Sequence, residues 1–476
     1  MSKPRPKTRQ LKTEKVLPDL IEIVPLKEPV RAEITVPGSK SITNRALILA
    51  ALAEGEVTLK GALWSEDTQV MSEALQKLGF EIRVEPDPEE FCNRTITVKG
   101  LGGRIPRAGA PGKPLEIFVE NAGTAARFLT AFICLGDGLY HLSGVSRMKE
   151  RPQKALFKAL RELGYCIETE YGNDRLPAFI EGSGPSPGGK CTVSIEQSSQ
   201  FASALLLCAK VGEWNVKVVG ENAEESPYVA MTSKMIEVFP HKGGIFQIEP
   251  DASSGSYFWA AGWLAEISEL KQARERALRE LGRGSNPGEG LGLGQSLKSA
   301  VEVCNWPTSR MQIDQDFRVF VGRFSLNMPK ESSRKHDLAD SIMTAIAVAP
   351  FNGGENGVKF TDLGRLRVQE CERVFALRTE LTRCGAKVVE EGDTLTVFPS
   401  ALHGAEIETY NDHRMAMCFA VLGLKVPGIK IKDPECVKKT FPNFFQKLAG
   451  PPPKGLGVTI LDASGRKLDW DELFAD

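Results

Sequence analysis

Six times along this chain, a polar stretch rich in Ser, Thr, Asp or Asn opens onto about three turns of Ala- and Leu-rich sequence. The copies read SITNRALILAALAEG from Ser41, TAARFLTAFICLGDG from Thr124, SSQFASALLLCAKVG from Ser198, SSGSYFWAAGWLAE from Ser253, LADSIMTAIAVAPFNG from Leu338 and NDHRMAMCFAVLGLKVPG from Asn411. They recur at intervals of roughly 55 to 85 residues, the behaviour of a duplicated structural unit. Each copy predicts one helix, with hydroxyl or carboxylate side chains set to cap its start and a glycine near most of the ends. The copies are apolar nearly all round, which places these helices inside a domain rather than on its surface.

A second set of helices alternates with the first and is amphipathic. SEDTQVMSEALQKLGFEIRV, RPQKALFKALRELGYCIETE and QECERVFALRTELTRCGAKVVE each reach a glycine and then pass into a short strand. The fold class is therefore an α/β repeat, with sheets covering buried helices. At 476 residues the chain exceeds what one core organises, so at least two domains are expected. Between about 266 and 334 the rhythm breaks. EISELKQARERALREL predicts a separate charged helix, and GRGSNPGEGLGLGQ a glycine-rich loop. No strand precedes that loop, so its glycines do not read as a nucleotide fingerprint. Beyond Gly450 the sequence predicts an appended strand or hairpin.

Basic and acidic side chains nearly cancel, 60 against 61, so anion binding has to come from a local cluster rather than a basic field for nucleic acid. No apolar run approaches the ~20 residues a membrane span needs. The start, MSKPRPKTRQLKTEK, is basic without an apolar core, which reads as a disordered tail over residues 1–15. Ten cysteines form no CxxC pair and read as free thiols of a cytoplasmic protein. The five histidines make no metal-binding pair, and no metal is expected.

Chemistry gathers at the helix openings. Lys40, Ser41 and Arg45 lie at the first, Thr124 and Arg127 at the second, and Ser198, Ser199 and Gln200 at the third. Asp340 precedes the fifth apolar run, and Asp412, His413 and Arg414 open the sixth. A helix start carries partial positive charge and unpaired N–H groups; adding Arg or Lys makes a site for phosphate and carboxylate oxygens. Further cations, Arg147, Arg151, Arg373 and Lys439, stand at similar phases of the repeat. Asp340 and Glu370 lie near basic residues, which fits either salt bridging or acid–base work; spacing alone does not choose.

The segments VPGSKSITNRALILAALAEG, ENAGTAARFL, SRMKERP, SSQFASALLL, PDASSGSYF, ADSIMTAIA, TYNDHRMAMCFAVLG and KKTFPNFF resemble the 5-enolpyruvylshikimate-3-phosphate synthase family, in that family's order and over nearly the whole chain. The resemblance implies two domains, each of three βαβαββ units, in the inside-out α/β barrel arrangement of the enolpyruvyl transferases. One domain would comprise 16–37 with 251–449, the other 38–250, and 450–476 would be a C-terminal extension. It implies transfer of the enolpyruvyl group of phosphoenolpyruvate to shikimate 3-phosphate, a step toward chorismate and the aromatic amino acids. No cofactor would be needed, and a monomer is expected, binding small molecules and neither nucleic acid nor membrane.

Carried over by position, Lys40, Ser41, Arg45, Ser198, Ser199, Gln200, Tyr228 and Asp340 would hold shikimate 3-phosphate. Lys40, Gly123, Thr124, Arg147, Gln200, Arg373, Arg414 and Lys439 would hold phosphoenolpyruvate. Asp340 would act at the reacting hydroxyl and Glu370 at the methylene, with Lys40 and Lys439 assisting. Three positions depart from the family pattern. Gln369 stands where a lysine usually serves the shikimate phosphate, and Arg365 is expected to compensate. Glu225 replaces a common serine, and Phe128 replaces a proline, so sensitivity to phosphoenolpyruvate mimics is not legible. Two other readings stay open at this point: a nucleotide-sugar enolpyruvyl transferase, whose opening motif and loop cysteine are not found, and a non-catalytic anion-binding relative.

Overall fold

The structure, a computed structural model, describes residues 17–27, 30–220, 226–281, 301–322, 327–354 and 356–475, with side chains up to 267 in the helix that ends at 281. The basic tail, the glycine-rich loop and Glu225 lie outside the described residues. Each of the six apolar runs forms a helix: Lys40–Leu52, Gly123–Ile133, Gln200–Gly212, Ala252–Leu281, Ile342–Val348 and His413–Gly423. In the first, second and sixth, nearly every residue is buried. The first three helices touch one another, and so do the last three.

Two separate cores result. One is built by Ile42 through Ile248; the other joins Leu17–Val36 to residues from Tyr257 onward, including Leu468 and Leu473 near the end of the chain. Among the described residues, six small sheets surround the helices. Four share one plan: a parallel pair extended by two antiparallel strands, as in Gly244–Gln247, Glu56–Leu63, Asn93–Lys99 and Ile82–Pro86. The other two are parallel pairs, Lys190–Ser194 with Asn215–Val219 and Ala32–Ile34 with Val301–Val303. Sheets outside and helices inside are what the repeat predicted, and they match the inside-out arrangement that the family resemblance implied.

Three details refine the sequence reading. The fourth helix does not stop at Glu266: it runs unbroken for 30 residues to Leu281, so the charged segment is its continuation and not a second helix. No glycine or proline interrupts Trp263–Leu281, so nothing in the backbone ends it. The irregular region still supplies strands: Val301–Val303 pairs with Ala32–Ile34, and Glu331–Ser333 with Val358–Thr361. Past Gly450, strand Ile460–Asp462 lies beside Leu20–Ile23 and completes that sheet.

The chain passes between the two cores at two adjacent points. Gly38 and Pro250 form an isolated antiparallel bridge, with Ser39 N donating to Glu249 O and Asp251 N to Pro37 O, both at 2.8 Å. A Cβ at Gly38 would collide with the carbonyl of Gly61, so the close approach there requires glycine. Beside this hinge, Glu90 from one half is buried among groups of the other. It accepts from Thr35 Oγ1 at 2.6 Å, Lys447 Nζ at 2.7 Å and Asn443 Nδ2 at 2.8 Å. These bonds set the helix starts of both halves face to face.

Candidate active site

The helix starts divide into capped and uncapped ones. Ser39, Ala122, Ser199 and Ser341 make no side-chain cap, whereas Ser198 Oγ accepts from Gln200 N at 3.2 Å, Asp251 Oδ1 from Ser254 N at 2.7 Å and Asp412 Oδ1 from Arg414 N at 2.9 Å. The expectation of capped openings therefore holds at the third, fourth and sixth helices; at the first and fifth, Asp251 and Asp314 accept Lys40 N and Ser341 N from outside the helix. The backbone just before three of the openings takes left-handed values at non-glycine residues, Glu120, Ala339, and the pair Tyr410 and Asn411. Such strain of order 1–3 kcal/mol each persists where surrounding structure enforces it, and it clusters at functional sites.

All of these openings converge on one cavity between the halves. From one side come Lys40, Ser41, Arg45, Thr124, Ser198, Ser199, Gln200 and Tyr228; from the other Asp340, Arg365, Gln369, Glu370, Arg373 and Arg414. Gly123, Arg147 and Lys439, the remaining candidates, stand behind this wall rather than in it. Lys439 reaches Glu370 Oε1 at 3.6 Å and donates to Asn121 O at 3.2 Å. Arg147 bonds Glu150 at 2.6 Å and the backbone carbonyl of Gln369 at 3.0 Å, linking the two halves. Arg151, four residues further along, lines the cavity where Arg147 was expected.

The charges are interlocked. Arg373 is fully buried and held by Asp412 through two bonds, Nε to Oδ2 at 2.6 Å and Nη2 to Oδ1 at 3.1 Å. Its Nη2 also meets Glu370 Oε2 at 2.8 Å, and its Nη1 donates to the side chain of Gln369. Arg414 bonds Ser253 Oγ at 3.1 Å and approaches Asp340 Oδ2 at 3.4 Å. Lys40 Nζ lies 3.1 Å from Asp67. Arg45 is buried beneath the ring of Phe128, 5.2 Å from its centroid, and donates to Thr232, Ser203 and the carbonyls of Ser41 and Tyr228. Its donors therefore brace the pocket floor, and Phe128 is its lid.

Burial alone would raise both carboxyls, yet neighbouring cations outweigh it. Arg373, Lys439, Arg151 and Lys40 hold Glu370 well below the usual carboxylate range. Arg414, Arg334 and Arg373 do the same for Asp340. Burial, with Lys40 and Arg414 beside it, keeps His413 neutral, its pKa far below the usual value.

Several site residues were not singled out from sequence: Arg334, Asp314, Asp67 and Asp251. Asp314 faces Asp340, Asp251 and Arg414, and its Oδ1 accepts Ser341 N at 2.7 Å. Burial first, then the charge of Asp340, push its carboxyl up to about 7, against the pull of Arg414. A raised carboxyl is stabilising to the folded state only while protonated. Unfolded, it loses its proton near pH ~4, so stability declines as pH rises from there toward 7 and the cost is complete above it. Asp314→Asn, which keeps the acceptor for Ser341, is expected to raise the melting temperature at pH 8, by the equivalent of roughly 2–4 kcal/mol, and to change little at pH 4.5. Equal shifts at both values in a calorimetric scan would contradict this.

The matching family model, described as EPSP synthase (3-phosphoshikimate 1-carboxyvinyltransferase), spans residues 25–448. The chain belongs to that family. A 3-phosphoshikimate 1-carboxyvinyltransferase of Trichormus variabilis is 36% identical over 449 residues, covering 90% of this chain and 98% of the relative. Those of Opitutus terrae and Vibrio cholerae are 34% and 36% identical, covering 91% and 89% of this chain and 97% of each relative. Among solved structures, EPSP synthase from Acinetobacter baumannii superposes with a TM-score of 0.64 at 21% identity, covering 93% of this chain and all of that one. The enolpyruvyl transferase NikO from Streptomyces tendae gives 0.62 at 14%, over 95% and 99%. At those identities the superpositions speak for the fold.

Proposed function

We infer that the protein moves the enolpyruvyl group of phosphoenolpyruvate onto the 5-hydroxyl of shikimate 3-phosphate and releases phosphate. One observation carries the reading: Lys40, Arg373 and Arg414, from helix starts in both halves, border a single cavity that also holds Asp340 and Glu370. Both substrates bear a phosphate and a carboxylate. Bringing them together needs dense positive charge in a water-poor cleft, within a chain of near-zero net charge.

The reaction is an addition followed by an elimination. The hydroxyl oxygen bonds to C2 of phosphoenolpyruvate while C3 takes a proton, giving a tetrahedral ketal. C3 then returns a proton as the bond from C2 to the phosphate oxygen breaks. A proton acceptor, a proton donor and fixed cations suffice. Asp340 is assigned to the hydroxyl and Glu370 to C3, with Lys40 and Lys439 beside them. Lys40, Ser41, Ser198, Ser199, Gln200, Tyr228 and Arg365 are assigned to shikimate 3-phosphate, with Arg45 bracing them; the side chain of Gln369, also expected there, bonds Arg373 instead. Thr124, Gly123, Arg373, Arg414 and Lys439 are assigned to phosphoenolpyruvate, with Arg151 taking the cavity position expected of Arg147. Residues 16–37 with 251–449 are proposed as one domain and 38–250 as the other, in a cytoplasmic monomer.

Phosphate release from phosphoenolpyruvate, with and without shikimate 3-phosphate, tests the reading. Release that depends on shikimate 3-phosphate supports it; release only with a nucleotide sugar, or none at all, rejects it. Gly123 offers a finer test. A Cβ there would lie 2.6 Å from Arg127 Nη1 and nearer still to Arg151 Nη2, so Gly123→Ala must displace both guanidinium groups. The half-saturating phosphoenolpyruvate concentration is expected to rise roughly tenfold or more, with shikimate 3-phosphate affinity little changed. An equal rise for both substrates would place Gly123 outside the phosphoenolpyruvate side.

A further inference from the structure

Arg334 stands six residues before Asp340, on a single π-helical turn, Arg334–Leu338. The turn is pinned. Ser333 Oγ accepts from Lys335 N at 3.0 Å and His336 N at 3.1 Å, and Asp337 Oδ2 accepts Ser333 N at 2.7 Å. Ala339, left-handed at φ 39°, then bends the chain so that Arg334 Nη2 meets Asp340 Oδ1 at 2.7 Å. Arg334 is only 7% exposed, and its Nε is buried with no hydrogen-bond partner. A guanidinium presents five N–H groups, and this ion pair occupies one of them. Buried donors without partners are costly, so an under-partnered guanidinium in the wall of a cavity marks a place for an acceptor.

Arg334 lines both the active-site cavity and a neighbouring one of about 510 Å³. Arg365 shares this wall, together with Gln197, Tyr228 and Val368. Burial, then the adjacent charge of Arg334, lower the Arg365 guanidinium to about 10. Two like charges thus face each other across a wall where an anion would relieve both. Gln369, the uncharged residue at the position where a lysine is usual, bonds Arg373 instead of reaching toward them.

We propose that Arg334 binds the phosphate of shikimate 3-phosphate, forming with Arg365 a two-arginine seat that replaces the cation absent at position 369. The assignment rests on the function inferred above. On that substrate the phosphate-bearing carbon and the reacting hydroxyl carbon are separated by one ring carbon. A group that touches Asp340 at the hydroxyl is therefore placed beside the phosphate as well. The same guanidinium then links the two ends of the substrate: one N–H orients Asp340, the others grip the phosphate.

The test titrates shikimate 3-phosphate, and shikimate as the phosphate-free control, into wild type, Arg334→Gln, Arg334→Lys and Arg365→Gln by calorimetry, with kcat measured alongside. Arg334→Gln and Arg365→Gln are each expected to weaken shikimate 3-phosphate roughly 10- to 100-fold, and shikimate hardly at all. Arg334→Lys keeps the charge without the fork and is expected to lose about 3- to 10-fold. Wild-type affinity in Arg334→Gln with a lowered kcat would mean that Arg334 only orients Asp340, and the proposal falls. Should Arg334→Gln not fold, undiminished affinity in Arg334→Lys overturns it equally. Wild-type protein that binds no shikimate 3-phosphate overturns the functional reading itself, and this assignment with it.

Discussion

Asp340→Ala is expected to lower kcat by about 1,000-fold or more while leaving the protein folded and able to bind shikimate 3-phosphate. The side chain lies at the start of the fifth helix, 2.7 Å from Arg334 and 3.4 Å from Arg414. Both guanidiniums border the cavity, so removing the carboxylate leaves them with substrate and water as partners and not stranded in a dry core. Substrate affinity should therefore hold or improve, because two cations lose a competing anion. The chemical step should not. Asp340 is an anion, held so by Arg414, Arg334 and Arg373 against the effect of burial. So depressed a carboxylate is a poor base until something takes up its cations, and the phosphate of shikimate 3-phosphate can do that. Basicity at the hydroxyl would then appear only when the substrate is in place. Asp340→Asn, which keeps the size and the hydrogen bond to Arg334 but cannot accept the proton, is expected to be nearly as slow. Turnover within tenfold of wild type in either variant would remove Asp340 from proton transfer.

The parts of this arrangement that sequence could reveal are those fixed by local chemistry. Helices buried on every face have few polar positions, so the polar openings at Ser41, Thr124 and Asn411 stood out. The tertiary consequences did not. Serines at the start of an apolar run read as caps; Ser198 is one, bonding Gln200 N, whereas its neighbour Ser199 caps nothing and lines the cavity. Arg147 and Arg151 lie four residues apart, and only the packing around Ser146–Glu150 decides which lines the cavity. Arg334 and Asp314 belong to no copy of the repeat. They reach the site through a left-handed residue at Ala339 and a bond to Ser341, neither of which has a sequence signature. The long fourth helix was divided where its composition changes from apolar to charged, although no backbone breaker stands there.

Glu370→Gln is expected to cost roughly 100- to 10,000-fold in kcat, and to abolish a proton uptake that accompanies phosphoenolpyruvate binding in the wild type. Glu370 is bound by two of the cations assigned to phosphoenolpyruvate: Arg373 at 2.8 Å and Lys439 at 3.6 Å. While they hold it, its carboxyl stays well below the usual range and cannot donate a proton near neutral pH. When the anionic ligand engages those cations, burial is left as the dominant influence, and burial raises a carboxyl. Ligand binding would thus load the acid with the proton that C3 is to receive. Arg373 does not drift when Glu370 releases it, because Asp412 grips it at 2.6 and 3.1 Å. Titrating phosphoenolpyruvate into the complex with shikimate 3-phosphate, in buffers of different ionisation enthalpy, measures the protons exchanged. The ligand's own phosphate contributes equally to wild type and variant, so the difference between them isolates Glu370. Identical proton counts for the two proteins would show that Glu370 keeps its charge when the site fills, and the proton for C3 would have to come from Lys40 or Lys439.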